Sequence, residues 1–207
     1  FGGIVLNNFT GGINPFAVEA SAKMKGKIVW FPTMDSKSFL ECKKADTAHG
    51  IYILDNNGCL IPEAVKVLET AKKYNMLIGT GHVSSREGMA LVHAASKIGC
   101  QVILTHADNP ADFYSTEQQV EAANLGAIIE HSYFTVFYKR TAIDFLIEQI
   151  RAVGVEHVIL SSDLGQTSSP YSDEGLEEFA NILLNHGFNE SEIGLMFRDT
   201  QAKLLGI

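Results

Sequence analysis

Six short runs along the chain are apolar without alternation: GIVL (3–6), KIVWF (27–31), MLIGT (76–80), QVILT (101–105), GAIIE (126–130) and HVILS (157–161). They are rich in Val and Ile. Continuous apolarity over so few residues predicts parallel strands buried on both faces. The segments between them carry helical spacing and boundary signals. Asn14-Pro15 opens a helix ending near Gly26, with a capping Asn and a proline at the first helical position. Pro62 opens another, with Val65, Leu68 and Ala71 near helical spacing. Ser84 to Glu87 reads as a capping box. Ser115–Leu125 and 141–154 follow, the latter stopping at Gly154. Two more helical patterns come after the last strand.

Strand starts at 76, 101 and 126 are 25 residues apart, the spacing of βαβ units around a parallel sheet. The interval from 27 to 76 is longer. Its surplus, about 33–60, contains IYILDNNGCLI, two short β runs around Asn57-Gly58, which predicts a hairpin-bearing insertion. No linker or low-complexity segment interrupts the pattern, so 1–207 reads as one α/β domain.

Composition narrows the function classes. The net charge of −8 comes with scattered Lys and Arg, so no basic stripe exists for nucleic acid. No apolar run approaches a membrane span. Cys42, Cys59 and Cys100 are odd in number and show no CxxC spacing. They read as reduced thiols, which makes the cytoplasm the expected location. The remaining expectation is a small-molecule substrate, and the sequence is compatible with a homo-oligomer.

In parallel α/β folds chemistry gathers where strands end. Here the third strand is followed by His82, the fourth by His106, the fifth by Glu130-His131 and the sixth by Asp163. Imidazoles and a carboxylate converging from strand ends suit a divalent first-row ion. Such an ion lowers the pKa of bound water, and a neighbouring carboxylate can carry protons. Adjacent strand residues point apart, so only one of Glu130 and His131 faces the site. His131 is taken as that one, supporting the ligands from behind. Asp108 and Arg86 are candidate substrate contacts. His49, His93, His157 and His186 read as surface or packing residues.

The order of His in GTGHVS, His in ILTHAD and Asp in ILSSDLG resembles the amidohydrolase superfamily of metal-dependent TIM-barrel hydrolases, in particular an uncharacterised amidohydrolase-like branch. The ending DTQAKLLGI is similar to the NPAxLLGL ending common there. The resemblance implies a (β/α)8 fold, of which this sequence carries six βα units numbered as strands 3 to 8. It implies one divalent metal, Zn foremost with Mn or Fe as alternatives, ligated by His82, His106 and Asp163. Asp163 and His106 would then be catalytic, and activated water would attack an amide, lactone or ester. The superfamily's His-x-His pair on strand 1 has no counterpart in the 207 residues. The chain opens at Phe1 almost inside a strand, so strands 1 and 2 are expected upstream of it or absent. KIVWFPTMDS also lacks the Lys or Glu that bridges two metals in binuclear members, which implies a single ion unless Glu130 or Asp35 substitutes.

Other readings remain. Decarboxylases share this architecture, and a decayed barrel could serve as a binding protein. A Schiff-base aldolase needs a lysine at a strand's C-terminal end, and Lys27 stands at a strand start. A dinucleotide-binding sheet needs GxGxxG after a strand, and none follows one.

Overall fold

The structure, a computed structural model, describes residues 2–207; Phe1, on which the reading of the chain's start rests, lies outside them. All six apolar runs form strands: β1 (Gly3–Val5), β2 (Ile28–Trp30), β3 (Leu77–Gly79), β4 (Val102–Leu104), β5 (Ile128–Ser132) and β6 (Val158–Ser161). They make one parallel sheet in sequential order. Sequential parallel winding with helices between strands is that of a TIM-type barrel, here with six strands.

The helices start where their signals stand. Asn14 Oδ1 accepts from the amides of Phe16 and Ala17 ahead of α1 (Pro15–Lys23). α3 (Pro62–Lys73) begins at its proline, and α4 (Ser85–Ile98) has the complete capping box of Ser84 and Glu87. α5 (Thr116–Asn124), α7 (Ile143–Val153) and α8 (Ser172–Asn185) match the other expected helices. Three short elements had no clear pattern: α2 (Lys37–Cys42), α6 (Tyr133–Phe137), and the π-helical turn Leu195–Asp199 between α9 (Glu190–Gly194) and α10 (Thr200–Leu205).

The sheet's two faces are not equivalent. Val29, Ile78, Leu104, Ile129 and Leu160 point outward into the main core under the helices, with Leu68, Leu91, Ile150 and Phe179. Ile28, Leu77, Ile103, Ile128 and Ile159 point inward, where Leu204 of α10 packs on them. The outward set is sealed, whereas Val5, Ile28, Trp30 and Leu77 are only half-buried. Burial on both faces therefore holds at β4 to β6, whose inward Ile103, Ile128 and Ile159 are buried, whereas at β2 and β3 the inner side is half-buried and frames a cavity.

Residues 33–60 lie over the C-terminal strand ends. The expected hairpin is a tight loop with one antiparallel bridge, Leu54 to Leu60, turning at Gly58 with φ of +78°. The loop is anchored by Glu87, 1% exposed. One carboxylate oxygen accepts from the Ile53 amide (3.0 Å); the other accepts from the amide and hydroxyl of Ser84 (3.0 and 2.6 Å). Among the described residues no helix is long and apolar enough to cross a membrane.

Two outcomes follow from this packing. Glu87→Ala leaves a buried Ile53 N–H without its acceptor, so urea unfolding should show a loss of about 1–3 kcal/mol. A loss under about 0.3 kcal/mol would refute the anchoring role. Cys42 and Cys59 are exposed, whereas the Cys100 thiol contacts Leu68 O at 3.1 Å and burial raises its pKa. A raised pKa leaves less thiolate at pH 8. Timed alkylation read by mass spectrometry should therefore label Cys42 and Cys59 first and Cys100 last.

Candidate active site

Four of the singled-out residues share one cavity of about 710 Å³: His82, His106, Glu130 and Asp163. Their rim is completed by Thr33, Thr105, Ser161 and Ser162, and Trp30 with Ile28, Ile103 and Ile159 forms its body. Three strand ends reach this rim through left-handed backbone: Gly81 before His82 (φ +64°), His106 itself (φ +32°) and Asp163 (φ +48°). Non-glycine residues there carry strain on the order of 1–3 kcal/mol each, the kind that clusters at functional sites.

His82 lies between two rings, Phe39 of α2 and His106, each with its centroid 4.8 Å away. Its backbone is held by the Pro32 carbonyl and by the Ser36 hydroxyl. Its Nδ1 is buried and makes no hydrogen bond among the described residues. Burial, reinforced by the positive charge of His106, lowers its pKa to about 3, so the ring is neutral with a lone pair available.

His106 is the opposite case. Burial works against its charge, but Asp112, assisted by Glu130 and Asp163, outweighs it and raises the pKa to about 9. Nδ1 stands 3.1 Å from Asp112 Oδ2, a close charge contact whose angle falls short of a hydrogen bond. Asn109 donates to the other Asp112 oxygen (3.1 Å). Burial raises the pKa of both Glu130 and Asp163, opposed in each case by the charge of His106.

Behind the rim sits a second buried pair. His131 Nδ1 and Asp108 Oδ1 are 2.9 Å apart and fully buried, Thr135 donates to Asp108 Oδ2, and Thr141 donates to the Asp108 carbonyl. Burial pushes the Asp108 carboxyl up, but the bonds from His131 and Thr135 prevail and lower it.

Position decides among the sequence-derived residues. Strand alternation holds at β5, but the side chain on the cavity is Glu130: Ile128 and Glu130 face inward, Ile129 and His131 outward. His131 and Asp108 therefore stand one layer back from the cavity. Arg86 is exposed on the first turn of α4, its guanidinium against Gly58, and does not line the cavity. Lys27 precedes β2, at the end of the cavity away from the rim. Sequence reading missed Asp112 and Asn109, which lie in a loop; the only signal was the density of carboxamide and carboxylate residues after His106.

The rim's donors suit a divalent cation by type: a neutral imidazole with an orphaned buried nitrogen, a second imidazole backed by a carboxylate, and two carboxylates. Among the described residues no three of them converge closely enough to hold an ion unaided. The set fits such an ion in chemistry and leaves much of its coordination open.

A family model described as a family of unknown function, DUF6282, matches residues 1–130. No curated protein matches. Among solved structures, an amidohydrolase from Pseudomonas aeruginosa superposes with a TM-score of 0.67 at 13% identity, covering 92% of this chain and 67% of its own. A dipeptidase described as a metallopeptidase of family M19 gives 0.60 at 12%, covering 98% and 70%. A 2,6-dihydroxybenzoate decarboxylase from Rhizobium gives 0.55 at 11%, covering 93% and 68%. These likenesses show the fold, a TIM-type parallel barrel, over about two thirds of each structure's length.

The His106–Asp112 contact yields a prediction that needs no ligand. Asp112→Ala strands a buried imidazolium and should cost about 3–5 kcal/mol in unfolding free energy near pH 7. Asp112→Asn, which keeps the shape and a partner oxygen, should cost less. Thermal melts of the two variants coinciding with the parent would refute the pairing.

Proposed function

The chain belongs to the family of unknown function DUF6282, and we propose that it is a metal-dependent hydrolase of the amidohydrolase type, acting on an amide, lactone or ester of a small molecule. One observation carries this reading: His82, His106 and Asp163, from three different strand ends, share the rim of one cavity. The TIM-type fold supports it, since such barrels place their chemistry at the C-terminal ends of strands.

In this reading His82, His106 and Asp163 would supply part of the coordination of one divalent ion, zinc foremost, which when bound would lower the pKa of water and polarise the scissile carbonyl. The chain's own groups do the rest. His82 offers a neutral nitrogen. Asp112 fixes the His106 ring from behind; the ring is protonated near pH 7 in the metal-free protein, so its Nε2 would have to release its proton to become a ligand. Asp163 accepts the proton of the attacking water on a carboxylate oxygen and returns it to the leaving group, a role suited to a carboxyl whose pKa burial raises. Glu130, half-buried and inward, supplies the second proton-carrying position.

Calorimetric titration of zinc, manganese or iron(II) into chelator-treated protein tests this. About one equivalent should bind, with His82→Ala and Asp163→Asn each weakening affinity at least tenfold. A panel of aryl and alkyl amides, lactones and esters should show turnover that is lost with chelator and restored by metal. Stoichiometric metal binding unaffected by either substitution would overturn the assignment.

A further inference from the structure

Trp30 is the only tryptophan of the chain. It is half-buried on the inner face of the sheet, in the wall of the cavity. Two glycines make room for it. A methyl group at Gly79 would stand 2.5 Å from Cδ1 and 2.8 Å from Nε1, and one at Gly3 would stand 2.7 Å from Cζ3. Gly79 lies on β3 and Gly3 on β1, the strands on either side of β2. The indole therefore spreads across three strands, one end over each glycine, in the volume where side chains would otherwise stand. Neither glycine has a positive φ, so no turn calls for them; at Gly79 the ring does, and at Gly3 the ring does together with Ile28, whose Cγ2 and O would stand 2.7 and 2.8 Å away.

The consequence is a flat aromatic surface inside a small-molecule cavity. About 710 Å³ is within the usual range for such sites. Val5, Ile28, Leu77, Ile103 and Ile159 line the body around the indole; Lys27 stands at the far end, and the imidazoles and carboxylates gather at the rim. An apolar body with a broad ring in its wall, and imidazoles and carboxylates at the rim, matches a molecule with a planar aromatic part and a polar group at its rim end. Offset stacking on an indole favours an aryl group over a saturated ring of equal size by more than area burial alone.

We propose that Trp30 is the specificity-determining residue of this cavity: the planar aromatic part of the substrate stacks on its indole while the polar group lies at the rim of His106 and Asp163. The inference rests on the hydrolase reading for the reacting group, but binding to the indole is measured without turnover.

The lone tryptophan is its own reporter. Its emission should change saturably when phenylacetamide is titrated into the protein, with and without zinc. Cyclohexylacetamide, the saturated counterpart, should bind roughly three- to tenfold more weakly. In Trp30→Leu, followed by calorimetry and checked for fold by circular dichroism, that ratio should fall to about one; Trp30→Phe should retain part of it. Equal affinities for the two amides in the parent protein overturn the proposal. So does an aryl preference that survives Trp30→Leu, or an indole that neither acrylamide nor either amide perturbs. Aryl-selective binding without metal binding would sink the hydrolase reading alone, and metal binding at His82 and Asp163 without aryl preference would sink the platform alone.

Discussion

The site depends on one backbone constraint, the left-handed residue at which β3, β4 and β6 leave the sheet. An extended strand sends successive side chains to opposite faces. Continued unbroken, β4 would place Ile103 inward, Leu104 outward, Thr105 inward and His106 outward. The positive φ at His106 breaks that sequence. It lets one imidazole border the cavity while its Nδ1 reaches back to Asp112 in the layer behind. At β6 the same device brings Ser161, Ser162 and Asp163 onto one wall. At β3 the role falls to Gly81, which adopts this conformation without a side-chain penalty.

Two non-glycine residues held this way raise the energy of the folded chain, and the layer behind the rim holds one of them, His106, in place. Asp112 and Asp108 are buried carboxylates, each facing an imidazole. Buried charges of this kind contribute little net stability, but each becomes costly when its partner leaves. That asymmetry makes the pairs effective as clamps. His106 cannot relax toward ordinary backbone without withdrawing from Asp112, and Asp112 is itself held by Asn109. The strain at the strand ends and the buried pairs behind them form one arrangement.

The fold was readily legible because its signals are local and agree with one another. Six apolar runs, an Asn-Pro cap and a Ser–Glu capping box each specify a short stretch, and a parallel sheet accommodates them in one order. His82, His106 and Asp163 were legible for the same reason: a polar residue ending an apolar strand stands out. Asp112 and Asn109 were not, because their partnership with His106 is made by the fold of the 107–115 loop and leaves no periodic trace. The π-helical turn before α10 was hidden as well, since its apolar pattern reads as continuous helix across Leu195–Asp199.

Glu130 and His131 show where a period-2 pattern stops informing. It states that two neighbours part company but not which one faces the cavity, because GAIIE is apolar on both sides of the sheet. What separates them is the difference between the faces. The outer face is sealed by helices, and a polar group there needs an internal partner, which His131 finds in Asp108. Among the described residues α10 covers part of the inner face, and Glu130 stands there within the field of His106. The same difference accounts for Trp30. On the sealed side an indole of that size would need a matching hole among helices, whereas on the open side it needs only two glycines beside it. The inner face can therefore hold a broad ring and ionisable groups together, the combination a small-molecule site requires.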